Sequence, residues 1–233
     1  MGVVEFVFPP PPPAHLPVAG SSRRLAVNRI FCVGRNYAEH AAEMGAEVDR
    51  EAPFWFLKSP HAVMESGGRL AYPPGTADLH HEIEMVVALG AGGFRVPREQ
   101  AAGLVWGYGA GLDMTRRDLQ ARAKDQRRPW DMGKDFEGSA VLSAITPMPG
   151  QVLGDREIGL AVNGVSRQRA RLSQMVWPVD ALVAHLSRFY HLRPGDLIMT
   201  GTPAGVGPVG PGDRLTGGVE GLAEVTLTID PPE

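Results

Sequence analysis

Only one residue of the 233 is cysteine, Cys32, so an internal disulfide is excluded and a reducing compartment is the simplest setting. Its neighbours Ile30, Phe31 and Val33 mark it as a buried core thiol rather than a nucleophile. Aromatic residues make up just 7%. No apolar run approaches the ~20 residues that a membrane span needs. Charge of one sign is also scarce. The formal net charge is -3, and no basic stripe offers the electrostatic footprint of nucleic-acid binding. The first residues lack the basic segment and apolar core of a secretory signal. Phe6 stands where myristoylation after Met1-Gly2 would need Ser or Thr. Cytoplasm is therefore the expected location.

Glycine (29 residues) and proline (21 residues) are abundant, which predicts many turns and short strands. The proline run Pro9 to Pro13 predicts extended polyproline backbone. Residues 1–28 read as an arm lying on the main body or on a partner chain, and 29–233 as one domain. Strands are expected at Arg29 to Val33, Phe54 to Leu57, His81 to Leu89, Leu104 to Leu112 and Ala223 to Ile229. Asn163-Gly164 reads as a hairpin turn. Pro194-Gly195-Asp196 and Pro211-Gly212-Asp213 are two further turns that lead into strands. Helices are expected at Asn36 to Met44 with Asn36 as cap, at Thr115 to about Gln126 with a capping box to Asp118, and at Val179 to Phe189. The pattern is mainly β with α (α+β), a mixed β-roll or β-sandwich, because helices alternate too rarely with strands for a doubly wound sheet.

Chemistry concentrates in His80-His81-Glu82-Ile83-Glu84. Residues i and i+2 of a strand share a face, so Glu82 and Glu84 point one way and Ile83, Met85, Val87 and Leu89 the other. Val86 and Ala88 extend the glutamates' row, so the strand should be covered on both sides. Two carboxylates there would repel unless a cation neutralised them. Taken alone, Glu-x-Glu is more often a solvent-facing pair. Asp113, at the end of the next strand, is a third candidate. Oxygen donors suit Mg²⁺ or Mn²⁺, and Ca²⁺ fits the same set, whereas zinc is not favoured. His40 and Glu43 are neighbours at i,i+3, a carboxylate-oriented imidazole able to serve as a base or, more blandly, a surface ion pair. Lys134, Arg117 and Gln120 would each pass singly for surface residues. Met199 to Gly210 spells G-x-G-x-x-G, but Pro208 and Pro211 forbid the helix that a dinucleotide site needs. Backbone N–H groups of that loop, with Thr202, could hold a carboxylate.

In this order, Val33-Gly34-Arg35-Asn36-Tyr37 with His40 and Glu43, Phe56-Leu57-Lys58, His80 to Glu84, Leu112 to Thr115 and Gly201 to Gly207 resemble the fumarylacetoacetate hydrolase family. The resemblance implies that Glu82, Glu84 and Asp113 hold Mg²⁺ or Mn²⁺. It makes His40 and Glu43 a water-activating dyad on a lid helix, and Lys134 an active-site lysine. Arg35, Lys58, Arg117, Gln120 and Thr202 would contact substrate. It further implies a β-roll, a homodimer and a small dioxo-acid substrate. Hydrolysis of fumarylpyruvate in gentisate breakdown is the activity best matched; an acylpyruvase, an oxaloacetate decarboxylase and a hydroxymuconate-type isomerase are the alternatives. Two departures stand out: Ser59-Pro60 follows Lys58 where relatives have proline directly, and Asp135 follows Lys134 where a small residue is common.

Overall fold

A computed structural model describes residues 5–45 and 50–233. Met1-Gly2 lie outside the described residues. Two sheets enclose the main core. The larger is mixed and eight-stranded, in the order Phe54–Lys58, Arg29–Gly34, Asp196–Met199, Ile83–Leu89, Val105–Asp113, Ala140–Leu142, Val63–Glu65, with Thr146–Pro147 also paired to Val105–Asp113. The smaller has five strands, in the order Val165–Arg171, Glu157–Val162, Arg214–Val219, Val225–Asp230, Gly68–Ala71. Short helices sit at the edges, which bears out the mainly β expectation.

The central strand Ile83–Leu89 is buried at every residue. Ile83, Met85, Val87 and Leu89 pack toward the five-stranded sheet with Ile158, Leu160, Leu215 and Leu227. Val86 and Ala88 pack on the opposite side with Ile30, Cys32, Leu142 and Met199. The strand is thus covered on both faces, as its sequence required. In the five-stranded sheet the burial alternates along Glu157–Val162, Arg214–Val219 and Val225–Asp230, so one face of these strands is turned to the core. The neighbouring strand Val105–Asp113 carries its glycines for close approach. A Cβ on Gly107 would lie 2.4 Å from the Thr146 carbonyl oxygen. Asn163 and Gly164 both take positive φ (53° and 78°), which fits the tight hairpin turn between Glu157–Val162 and Val165–Arg171. The segment 14–27 forms a hairpin of His15–Pro17 with Arg24–Ala26, and Leu16 is buried on the second apolar cluster.

Three expectations need correction. The strand foreseen from His81 to Leu89 breaks at Glu82: Leu79–His81 leaves the large sheet and pairs with Thr115–Arg116 and Gly207–Pro208. The first helix is Ala38–Glu43, and Asn36 does not cap it. Instead the Asn36 amide is buried, donating to the carbonyls of Thr200 and Trp177 and accepting from the Trp177 N–H. Thr115 does not cap the next helix, Arg117–Asp125, because its hydroxyl is committed to Lys134 and to the Asp113 carbonyl.

Candidate active site

The break at Glu82 sets the site. Between the two short strands, the Glu82 carbonyl still accepts the Asp113 N–H at 2.9 Å, which ties the break to the end of Val105–Asp113. Carboxylate oxygens of Glu82, Glu84 and Asp113 then lie within 4.8 Å of one another, and all three residues are buried. Burial pushes the Glu84 carboxyl well above its ordinary value, with Asp113 and Glu82 adding repulsion. For Glu82, burial acts the same way, but Lys134 and Arg117 outweigh it and hold the group well below the ordinary carboxylate range. Asp113 Oδ1 lacks a hydrogen-bond donor, although the Lys58 ammonium lies 2.9 Å away. Repelling, desolvated oxygens at this spacing are a hard-cation donor set, so the residues fit a bound divalent ion.

Lys134 is 2% exposed, so its surface reading is overturned. Its ammonium donates to Glu82 Oε2 (2.7 Å), Asp113 Oδ2 (2.7 Å) and Thr115 Oγ1 (2.8 Å). Burial opposes that charge, yet Asp113 and Glu82 win and raise its pKa. Arg117 and Gln120 are also buried. Arg117 donates to Glu82 Oε1 at 2.5 Å and to Gln120 Oε1 at 2.6 Å. Lys58 departs from its expected substrate contact. It lies behind Asp113, pairs with that carboxylate and donates to the Lys134 carbonyl, away from the cavity wall.

His40 and Arg35 line the same small cavity as Glu82, Glu84, Arg117, Gln120, Lys134 and Thr202. His40 Nδ1 lies 3.3 Å from Glu43 Oε2. With the Nδ1 proton directed at Glu43, Nε2 is the free acceptor that a base needs. Burial lowers the His40 pKa, against the pull of Glu82 and the hydrogen bond to Glu43, so the ring is neutral near pH 7.

Two N–H groups of the glycine-rich loop turn on the protein's own carboxylates, while Thr202 lines the cavity. Gly201 N–H donates to Glu84 Oε2 at 2.8 Å, and Gly205 N–H donates to both Glu43 oxygens. Gly205 has φ +95°, and a Cβ there would lie 2.1 Å from the Arg167 carbonyl oxygen, so only glycine fits. Sequence reasoning missed Gln168, 1% exposed on the polar strand Val165–Arg171. Its amide accepts from His81 and the Ile83 N–H and donates to Thr202 Oγ1 and the Pro203 carbonyl. No local signal marks it, since it lies between Arg167 and Arg169 on a strand rich in polar residues. The two departures meet each other: Asp135 Oδ1 accepts from the N–H and hydroxyl of Ser59.

The model of the fumarylacetoacetate hydrolase C-terminal family matches residues 29–230. A fumarylpyruvate hydrolase from Ralstonia sp is 52% identical over 192 residues, covering 82% of this chain and all of the relative. The mitochondrial oxaloacetate tautomerase of Homo sapiens is 39% identical over 207 residues, 88% and 92% of the two chains. A crystal structure of fumarylpyruvate hydrolase from Pseudomonas aeruginosa in complex with Mn²⁺ and pyruvate superposes with TM-score 0.94 at 46% identity, covering 97% and 100%. With the motifs, the fold and the buried carboxylate triad in agreement, the chain belongs to the fumarylacetoacetate hydrolase family.

Proposed function

We propose that this chain hydrolyses a carbon–carbon bond of a 2,4-dioxo acid, converting fumarylpyruvate and water to fumarate and pyruvate. The observation that carries this is the carboxylate-oriented imidazole of His40, which lines one cavity with Glu82 and Glu84, whose carboxylates converge with that of Asp113. Glu82, Glu84 and Asp113 are the ligands for Mg²⁺ or Mn²⁺, the ion named in the Pseudomonas aeruginosa complex being Mn²⁺. When bound, that ion supplies Lewis-acid polarisation of the substrate's oxo-acid end.

The chain's own groups do the rest. His40 Nε2 takes a proton from water, and the resulting hydroxide adds to the 4-carbonyl. Glu43, held by Gly205, keeps the imidazole in the tautomer this requires. The C3–C4 bond then breaks, its electron pair forming pyruvate enolate, and protonation at C3 gives pyruvate. Lys134 places positive charge beside the developing enolate. Arg117, Gln120 and Thr202 hold the oxo-acid oxygens, and Lys58 positions Asp113 and the Lys134 segment from behind. The same reading places the protein in the cytoplasm as a homodimer in gentisate breakdown. Described residues contain no helix long and apolar enough to cross a membrane.

Tautomerisation of oxaloacetate is the second reading, favoured by the identity to the human enzyme of that name. It moves a proton and needs no hydroxide. Incubation with Mg²⁺ and fumarylpyruvate separates the two: equal amounts of pyruvate and fumarate support hydrolysis. Enol–keto exchange of oxaloacetate without pyruvate release from any acylpyruvate overturns it.

A further inference from the structure

The cavity at the triad encloses only about 30 Å³, too little for a seven-carbon diacid and far below the ~300–1,000 Å³ of ordinary ligand pockets. Arg35, Phe56, Lys124 and Trp130 form its wall and are shared with an adjoining groove of about 610 Å³. The acyl part of a substrate held at the triad must therefore pass between these four residues into the groove.

Two features of the groove restrict what it accepts. Its floor is aromatic: the Trp130 ring centroid lies 4.9 Å from that of Phe54 and 5.9 Å from that of Phe56, the rings tilted by 60° and 52°, an apolar cleft that a conjugated chain can pack against. Its charges are nearly all positive, from Arg35, Lys124, Arg127 and Arg128 against Asp131. Arg35 holds φ +60°, a left-handed position unusual for a side-chain-bearing residue. Lys124 is carried on Arg117–Asp125 and lies 5.1 Å above the Trp130 ring. Among the described residues, neither the Arg35 nor the Lys124 side chain has a hydrogen-bond or ion-pair partner. Burial, then Arg117 and Arg35, lowers the Lys124 pKa, as expected of a cation awaiting an anion.

We propose that Arg35 and Lys124, above the Phe54–Phe56–Trp130 floor, form a subsite for a second carboxylate at the far end of the acyl group, and that this subsite selects a planar dicarboxylic acylpyruvate over a neutral one. This rests on the hydrolase reading above. The test compares kcat/KM for fumarylpyruvate and acetylpyruvate with Mg²⁺ in the unmodified protein, Lys124→Met and Lys124→Arg. Lys124→Met lowers the preference for fumarylpyruvate roughly 10- to 100-fold, the worth of one charge-assisted contact, mainly through KM, and Lys124→Arg retains it. In parallel, fumarate binds the Mn²⁺-loaded protein more tightly than crotonate, and Lys124→Met removes that difference. Equal losses on both substrates, or an unchanged preference in Lys124→Met, overturn the subsite. If the unmodified protein cleaves neither substrate, the hydrolase reading falls, and the fumarate–crotonate comparison still decides the subsite.

Discussion

At the triad, Lys134 bridges Glu82 and Asp113, Lys58 backs Asp113, and Arg117 grips Glu82. A few residues away, Arg35 and Lys124 stand half-buried with no anion against them. The first region is anchored in the central sheet and the break beside it, where displacing one group would strand a buried charge. The second sits on one helix and one left-handed residue at the rim, where substitution costs little stability. A site divided in this way can keep its bond-breaking end constant while its acyl end changes from one substrate to another.

The largest separation between the two regions should come from His40→Ala. It should lower kcat by about 10²–10⁴, the usual worth of a positioned base, while Mn²⁺ affinity stays unchanged. Steady-state kinetics beside a Mn²⁺ titration checks this, and an unaltered turnover would remove His40 from the mechanism. A smaller effect is expected for Glu43→Gln, roughly 10-fold in kcat for one weakened charge-assisted hydrogen bond. Glu43 raises the His40 pKa against burial, so its loss shifts the acid limb of the pH–rate profile downward. The acid limb of the unmodified protein should already lie below the ordinary imidazole value. A limb that moved upward in Glu43→Gln would contradict the dyad.

Much of the fold was legible because it depends on local period. Burial of Ile83–Leu89 on both faces follows from its apolar rows, and the Asn163-Gly164 turn from its backbone demands. The carboxylates were legible only as a set, since each alone looked like a solvent-facing group. Lys134 was read singly as a surface lysine because the acids that bury its ammonium come from distant strands. Gln168 and the Gly205 N–H escaped notice for the same reason: their partners, 34 to 162 residues away, leave no trace in nearby periodicity.

Smaller effects concern stability. Glu84 has a raised carboxyl pKa without metal, so its contribution to folding is greatest at low pH and is lost as pH rises through that value. A divalent ion offsets the repulsion, so Mg²⁺ or Mn²⁺ should raise the melting temperature more at pH 8 than at pH 5. At a thousandfold excess over Kd the stabilisation is about 4 kcal/mol. Equal shifts at both pH values would show that metal binding does not engage this carboxyl. Least of all, Ser59→Ala removes one hydroxyl contact to Asp135 and should cost about 1 kcal/mol in denaturant unfolding.

The most direct test of the triad is a Mn²⁺ titration of metal-stripped protein followed by electron paramagnetic resonance, comparing the unmodified chain with Glu84→Gln. The account predicts one tight Mn²⁺ per unmodified chain and loss of both that site and fumarylpyruvate cleavage in Glu84→Gln. Retention of tight binding and full cleavage at limiting metal by Glu84→Gln would contradict it.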